Sequence, residues 1–187
     1  MLPVIVTSFI SIAAAHFDYP GRPTIDDLPK FYQPKQITYL VIRSYISKVH
    51  GQDPICIHNK VHNLTGANLY FEQTYTYKSG DLEISHRLPV KATISRKDGY
   101  DVAPFMEAVT TNVFQLKRNY YFHYYDDKAH CAVLTFKDYS GTLRCELHTW
   151  KTTASYTYYG NCHDEYKYQC PGRQSHYVYL RDCPNAV

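Results

Sequence analysis

The chain has 187 residues, a length typical of one domain, and 44% of them are hydrophobic against 20% charged. It can therefore bury a core, and its composition is not that of a disordered protein. The formal net charge of +3 is too small to indicate a nucleic-acid partner. Twenty tyrosines favour a sheet protein, because tyrosine is enriched in strands. An even number of cysteines, six, raises the question of an oxidising compartment.

The N-terminus answers that question with an uncharged apolar run that ends in small residues, LPVIVTSFISIAAA. This pattern predicts a secretory signal peptide over residues 1–15, and the alternative is a buried first strand or helix. The run is shorter than the roughly 20 residues of a membrane span, and no later segment reaches that length, so no membrane span is expected. Secretion to the extracellular space permits disulfides and makes Asn63, in Asn63-Leu64-Thr65, a usable N-glycosylation site.

Residues 16–36 are rich in proline and acidic residues and predict an irregular arm, with one helical turn near Asp26–Tyr32. After the arm, β-branched and aromatic residues recur in short runs between turn signals. They predict eight strands: Ile37–Tyr45, Ile55–Leu64, Ala67–Tyr77, Leu82–Ile94, Val109–Leu116, Asn119–Tyr125, Cys131–Lys137 and Leu143–Trp150.

Three further local features follow from the pattern. Pro89 should lie at a bulge or an edge position, because proline has no N–H for a sheet ladder. Tyr156–Gln169 is the best helix candidate, although Gly160 interrupts it, and Gln174–Arg181 reads as a last extended segment. Eight short strands separated by turns indicate an all-β up-and-down barrel or a sandwich.

Motifs for catalysis or cofactor binding are missing from the sequence: it has no GxSxG, P-loop, GxGxxG or HExxH. His58 and His62 are four residues apart in a predicted strand, which separates them by about 13 Å, too far to share one metal ion. No cofactor, no metal site and no enzymatic activity are therefore expected.

The cysteines stand at positions 56, 131, 145, 162, 170 and 183, and spacing alone cannot choose among fifteen pairings. The run from Cys131 through Cys-Glu-Leu at 145–147 to Cys183, with YLVIRSY at 39–45, resembles the tick salivary lipocalins, which include the histamine-binding proteins. The resemblance covers about residues 37–183. It implies an eight-stranded antiparallel up-and-down lipocalin barrel over residues 37–187, with an external C-terminal helix and three disulfides: Cys56–Cys183, Cys131–Cys162 and Cys145–Cys170.

This disulfide frame assigns strand faces. If Cys131 and Cys145 face an outer helix, strand alternation turns Ala132, Leu134, Phe136, Arg144, Glu146, His148 and Trp150 toward the cavity. The candidate ligand-binding residues are Leu134, Phe136, Glu146, His148 and Trp150, together with Tyr45, which matches a ligand-facing tyrosine of the family. The alternative is that these polar groups only close the barrel end and satisfy one another.

The resemblance also bears on the ligand. Amine-binding members carry Cys-Asp where this chain has Cys131-Ala132, and Glu-Leu-Trp or Glu-Leu-Tyr where it has Glu146-Leu147-His148. A buried ammonium needs carboxylate partners, so the loss of one acid favours an uncharged or apolar ligand. We therefore rank a lipid or sterol-like ligand above histamine or serotonin. The sequence is similar in this respect to the Japanin-like immunomodulatory group.

Three functions are carried forward. The first is a secreted salivary lipocalin that binds a small hydrophobic ligand and modulates the host immune response. The second is a scavenger of biogenic amines, and the third is an inhibitor of a host complement or signalling protein. The third rests on the aromatic residues of Asn119–Tyr125 (NYYFHYY), which face both sides of a strand and serve either as interface anchors or as packing against the arm. A monomer and a homodimer both remain open.

Overall fold

The computed structural model describes residues 21–96, 103–112, 115–155, 157–179 and 183. The predicted signal peptide, residues 1–15, lies outside the described residues, as do the start of the arm and Arg181 at the end of the last predicted segment.

Eight antiparallel strands form a closed up-and-down barrel, which confirms the predicted fold class. Neighbours in sequence pair in order from β2 to β8, β8 pairs with β1, and β1 closes the barrel by pairing with β2. A two-residue strand, β9 (His176–Tyr177), extends the sheet beside the end of β1. The eight barrel strands are Ile37–Arg43 (β1), Ile55–Thr65 (β2), Asn68–Ser79 (β3), Leu82–Ser95 (β4), Phe105–Thr110 (β5), Lys117–Asp126 (β6), Cys131–Lys137 (β7) and Leu143–Trp150 (β8).

The fifth strand differs from the prediction, because β5 ends at Thr110 whereas the sequence pattern predicts a strand over Val109–Leu116. The backbone N–H of Thr110 donates to the Leu116 carbonyl (3.0 Å), and the Thr110 hydroxyl accepts from the Leu116 N–H (2.8 Å). These bonds join the end of β5 to the residue just before β6. The β-branched run beginning at Val109 therefore leaves the strand after Thr110, and the strand is Phe105–Thr110, where Met106, Ala108 and Thr110 alternate as buried positions.

Pro89 lies in a regular stretch of β4, so the bulge alternative is wrong at this position. The register between β3 and β4 runs without a shift from Asn68↔Thr93 to Ser79↔Leu82. Pairing of β4 with β5 begins only at Val90, and the Pro89 carbonyl accepts a hydrogen bond from the Thr111 N–H at 2.9 Å. Pro89 thus stands at the edge where β4 separates from β5, and no ladder bond is lost.

The C-terminal helix α2 covers Asn161–Gln169 and so begins later than the predicted Tyr156. Gly160 immediately precedes it with φ 55° and ψ −139°, a conformation that is readily accessible only to glycine. The residue therefore sets the helix start instead of lying inside the helix.

A short helix, α1 (Asp27–Phe31), closes one end of the barrel. Leu28, Phe31 and Tyr32 are almost completely buried and belong to the interior core. The helical turn of the arm is confirmed, but the sequence did not indicate that this segment plugs the barrel.

A second core lies outside the wall, where α2 packs against β6, β7 and β8. Cys131 and Val133 of β7 belong to this outer core, whereas Ala132 and Leu134 belong to the interior one. Two disulfides, Cys131–Cys162 and Cys145–Cys170, join α2 to the wall, and Cys56–Cys183 joins the tail to β2. The structure thus contains the three pairings that the family resemblance implies.

Candidate functional site

The barrel interior is packed at the α1 end, and a cavity of about 280 Å³ remains toward the opposite end. Its walls come from strands β3 to β7 and the loops beside them. The body of the cavity is apolar, and polar and charged side chains are concentrated near its mouth. The lining residues are Phe71, Gln73, Leu88, Val90, Ala108, Thr110, Leu116, Lys117, Arg118, Tyr120, Phe136, Lys137, Asp138 and Tyr139.

A buried carboxylate, Glu146, lies behind the cavity wall with both oxygens engaged. The Tyr45 hydroxyl donates to Glu146 Oε1 at 2.5 Å, and His148 Nε2 lies 2.8 Å from Oε2. Arg118 Nη1 is 3.9 Å from Oε1. Burial raises the pKa of Glu146, but hydrogen bonding and charge from His148, together with Arg118 and Tyr45, outweigh burial and lower the pKa overall. Glu146 is therefore anionic and already has its counter-groups.

Phe136 separates this carboxylate from the open cavity. The rings of Tyr45 and Tyr120 meet Phe136 edge-on, with centroids 5.4 and 5.3 Å away. The Arg118 guanidinium lies 4.3 Å from the centre of the Phe136 ring, and its Nη1 donates to the Tyr120 hydroxyl at 3.0 Å. Burial raises the pKa of Tyr120 to about 12, so its phenol stays protonated. An aromatic and cationic partition thus divides the cavity from Glu146.

Arg43 is a second cation, after Arg118, among the groups around Glu146. Its side chain is 3% exposed, and the strand register places it opposite Glu146. Its guanidinium lies 5.3 Å from the centre of the Tyr45 ring. Among the described residues, Nε of Arg43 has no hydrogen-bond partner, and no carboxylate is within ion-pair distance. We refer to Arg43, Tyr45, Arg118, Tyr120, Glu146 and His148 as the polar cluster.

The sequence-based candidates separate into three places. Phe136 lines the cavity, and Tyr45, Glu146 and His148 meet in the polar cluster. The last three hydrogen-bond with one another, as the alternative interpretation anticipated, but His148 Nδ1 is buried without a partner among the described residues.

Leu134 and Trp150 also face inward but are not among the cavity-lining residues. Leu134 packs in the interior core with Phe31. The Trp150 indole donates to the Phe31 carbonyl at 3.0 Å, and its ring stacks on that of His130 with 4.1 Å between the ring centroids. Both residues lie where α1 fills the barrel and not in the open cavity, and their role in ligand binding stays a prediction.

Arg144 lies at the rim, where Nε and Nη2 are each 2.7 Å from Asp138 Oδ2. Hydrogen bonds from Ser140 and Arg144 and from backbone N–H groups lower the pKa of Asp138 to about 2. Asp138, the one acid among the described residues that line the cavity, is therefore already paired.

Arg118, Tyr120 and Arg43 were missed in the sequence. Every second residue along this part of β6 points inward, namely Arg118, Tyr120 and Phe122. This period-two pattern could have been recognised once β6 was assigned. Arg43 lies two residues before Tyr45, so alternation counted from Tyr45 was a signal for it, although a bulge in β1 between Leu40 and Ile42 shifts the alternation of the earlier residues.

The tyrosine-rich run Asn119–Tyr125 mostly serves packing. Phe122 and Tyr125 lie against Phe31 of α1, at 5.8 and 5.9 Å between ring centroids. Tyr124 belongs to the outer core beside α2, and Tyr121 is 40% exposed.

A second hollow, of about 340 Å³, lies outside the barrel wall beside the tail. It is lined by Val41, Ala154, Ser155, Thr157, Tyr159, Tyr177 and Tyr179. Within the described ranges, no three His, Cys, Asp or Glu residues converge as metal ligands, and no helix has the length and apolar character needed to cross a membrane.

Comparison with known proteins agrees with this geometry. A sequence model described as tick histamine binding protein matches residues 24–185. The fold is similar to the crystal structure of AM182 in complex with serotonin, at a TM-score of 0.54 and 17% identity over 82% of this chain and 89% of that one. It is also similar to Japanin from Rhipicephalus appendiculatus bound to cholesterol, at a TM-score of 0.60 and 12% identity over 81% of this chain and 96% of that one. A search of curated protein sequences found no match. With the family match spanning most of its length, the chain belongs to the tick histamine-binding protein family.

Proposed function

We propose that this protein is a secreted salivary lipocalin that binds a small hydrophobic ligand, lipid or sterol-like, in its barrel and thereby modulates the host immune response. The observation that carries the proposal is the cavity of about 280 Å³, whose lining includes the apolar residues Phe71, Leu88, Val90, Ala108, Leu116 and Phe136 and does not include Glu146. Its family is one of binding proteins, not of enzymes.

The shape of the cavity supports a narrow apolar ligand. Small-molecule pockets usually measure roughly 300–1,000 Å³ and have apolar walls with a few polar groups, and this cavity is at the lower end of that range. A chain or a single ring system would fit within it, and a larger molecule would extend through the mouth past Leu116 and Tyr139, both of which are exposed.

Secretion is supported by the apolar N-terminal run and by three disulfides, which form in oxidising compartments. Glycosylation belongs to the same proposal. Asn63 is exposed on β2, and the Thr65 hydroxyl donates to Asn63 Oδ1 at 3.3 Å. Immune modulation and saliva as the site of action rest on family membership.

The test is to express the protein in a secreting eukaryotic host and to measure binding of cholesterol, dodecanol, serotonin and histamine by titration calorimetry. Native mass spectrometry of the freshly secreted protein reports any lipid that co-purifies. We expect the apolar ligands to bind and the amines to bind weakly. Amine binding that is tighter than binding of every apolar ligand would reverse the ranking.

A pair of variants locates the site. Ala108→Phe should fill the barrel cavity and abolish binding, because Ala108 is a small residue in its wall. Ser155→Phe places the same bulk at the outer hollow and should leave binding unchanged. Loss of binding in Ser155→Phe with full binding in Ala108→Phe would place the ligand outside the barrel and contradict the proposal.

Amine scavenging remains the second candidate, because the family description and the serotonin-bound neighbour favour it. The contacts of this chain oppose it. An ammonium group would have to displace Tyr45, His148 or Arg118 from Glu146. The buried guanidinium of Arg43 and the partly exposed one of Arg118 would also repel it.

A further inference from the structure

Four loops surround the mouth of the barrel, at the end opposite α1. They join β1 to β2, β3 to β4, β5 to β6 and β7 to β8. Within the described residues, the exposed large aliphatic side chains all lie on these loops or directly beside them: Ile46, Leu82 and Leu116 are 61%, 70% and 65% exposed. The fourth loop carries Tyr139, whose side chain is fully in solvent. Each loop therefore presents one large apolar side chain.

The packing of the fold does not account for these four side chains, which we call the mouth residues. None of them belongs to a hydrophobic cluster of the described chain. A single exposed apolar residue is ordinary on a protein surface. One on every loop around the same opening is not, and exposed apolar groups that gather at one place mark a site of interaction with a protein or a membrane.

An exposed lysine accompanies each mouth residue, either close in sequence or across the hairpin of β3 and β4. A lysine can lay its apolar stem along a buried surface while its ammonium stays in a polar layer. Next to a membrane that layer contains the lipid phosphates, which attract basic side chains. The four pairs are Ile46 with Lys48, Leu82 with Lys78, Leu116 with Lys117 and Tyr139 with Lys137.

The spacing of the mouth residues favours a lipid surface over a protein partner. A protein interface has a closely packed apolar centre, whereas polar residues such as Ser47, Ser79 and Ser140 separate the mouth residues along the loops. A bilayer interface accepts separate side chains one by one. Aliphatic groups enter among the acyl chains, and tyrosine lies at the level of the headgroups.

We propose that the protein docks on a phospholipid bilayer with the mouth of its barrel, inserting the mouth residues into the interface while the neighbouring lysines meet lipid phosphates. This inference goes beyond the proposed function, because it concerns the outer surface of the loops and holds whichever ligand the cavity takes. Docking places the opening of the cavity against the membrane, where an apolar ligand can enter without passing through water.

The charges of the loops determine how docking depends on lipid composition. Acids also lie near the mouth, since Asp53 pairs with Lys48 and Asp138 with Arg144. The lysines therefore do not form a strongly cationic face, and insertion of the mouth residues supplies most of the binding. Anionic lipid should strengthen docking without being required for it.

The test is flotation of the secreted protein with two kinds of vesicle, phosphatidylcholine alone and phosphatidylcholine mixed with phosphatidylserine. We expect binding to both, tighter to the mixed vesicles, and we expect added salt to remove only the extra affinity. Absence of binding to either kind would overturn the proposal. Binding only to the mixed vesicles that salt abolishes would overturn it too, because it would be purely electrostatic.

Variants of the mouth residues identify the docking surface. Leu82→Ser combined with Leu116→Ser should weaken binding to both kinds of vesicle at least about tenfold, because two leucine side chains no longer leave water. Both side chains are exposed, so the fold should be kept, and thermal unfolding checks this. Tyr139→Ser should also weaken binding, whereas Tyr168→Ser, at a 76% exposed position of α2, is the matched control. Equal losses in the two tyrosine variants would contradict the assignment.

A charge reversal tests the lysines separately. Lys137→Glu should reduce the preference for the mixed vesicles, and Lys128→Glu, an exposed position in the turn between β6 and β7 at the opposite end, should not. An unchanged preference in Lys137→Glu would contradict the contact with lipid phosphates.

Two further results separate this inference from its alternatives. Sedimentation velocity without vesicles reports self-association. A dimer that the double leucine variant dissociates, in a protein that binds no vesicles, would assign the mouth to a second copy and overturn the proposal. Titration with dodecanol in solution tests the cavity independently. If dodecanol binds and vesicles do not, only this inference fails, and if vesicles bind through the mouth residues and no apolar ligand does, only the proposed function fails.

Discussion

Glu146 is a buried acid whose environment explains both why it is ionised and how the free-energy cost of burying its charge is offset. Its carboxylate contacts Tyr45, His148 and Arg118, and it is 2% exposed. A buried charge is tolerated only when such partners are in place. This arrangement makes Glu146 primarily a structural residue of the polar cluster, which orients Tyr45 and Arg118 beside Phe136.

We therefore predict that Glu146→Gln affects stability more than apolar ligand binding. The change removes the counter-charge of Arg118 and should lower the free energy of unfolding by about 2–3 kcal/mol, below the full cost of a completely buried pair because Arg118 is partly exposed. Urea unfolding and dodecanol titration measure the two effects. An affinity loss larger than the stability loss would show that Glu146 contacts the ligand directly.

His123 predicts how stability depends on pH. It lies on the outer face of β6 with Nε2 2.9 Å from the Thr135 hydroxyl, and burial lowers its pKa. The unfolded chain therefore takes up a proton at a higher pH than the folded chain does. Stability is full above the unfolded pKa of about 6.5 and falls as the pH drops through that value toward the lower folded pKa.

The measurement is the free energy of unfolding between about pH 7.5 and pH 5. His123→Gln should flatten the decline by at most about 1.4 kcal/mol per pH unit, the contribution of one proton. Some slope will remain, because burial also lowers the pKa of His58. His62→Gln, at an exposed position, is the control. A steeper decline in His123→Gln would reverse the sign argued here.

Among the elements, α1 has the largest consequence for the site, since it decides which end of the barrel is filled. Its attachment depends on a bond between two distant segments: the Trp150 indole donates to the Phe31 carbonyl at 3.0 Å. Phe31 in turn packs on Phe122 and Tyr125 of β6.

Trp150→Phe should loosen α1 while keeping an aromatic ring beside His130. The loss of one buried hydrogen bond should cost about 1–2 kcal/mol, and amide hydrogen exchange over residues 27–32 should speed up more than exchange in β7. Unchanged protection of α1 would mean that the apolar contacts of Leu28, Phe31 and Tyr32 hold it without the indole.

The strands of the wall were largely predictable from the sequence. Of the groups inside the barrel, the inward side chains of β7 and β8 were predictable, whereas the burial of α1 was not. Alternation along β7 and β8 depends on local geometry, so outward Cys131 and Cys145 correctly placed Phe136 and Glu146 inside. The burial of α1 could not be read from a five-residue helix in a proline-rich arm, because nothing local specifies what it packs against. Arg43 shares the inward face of Tyr45, two residues further on, but a one-residue bulge in β1 puts the residues before Ile42 out of that alternation, which a period of two over the whole strand cannot anticipate.

At the scale of the whole molecule, the tail completes the wall where β1 and β2 separate. The Val178 N–H donates to the Val41 carbonyl at 3.1 Å, and the Cys56 N–H donates to the Val178 carbonyl at 2.7 Å. The Cys56–Cys183 disulfide then fixes the tail to β2 across 127 residues of sequence. The Cys145–Cys170 disulfide spans only 25 residues and fastens α2 to a wall that is already closed.

This difference predicts unequal contributions to stability. In the chain-entropy description, closing the long loop restricts the unfolded chain by about 5 kcal/mol and closing the short one by about 3.5 kcal/mol. The paired change Cys56→Ser with Cys183→Ser should therefore lower the free energy of unfolding more than Cys145→Ser with Cys170→Ser does. Guanidinium unfolding without reductant compares the two double variants directly. A larger loss for the short loop would mean that packing of α2 against the wall, rather than restriction of the unfolded chain, dominates the stability that the disulfides provide.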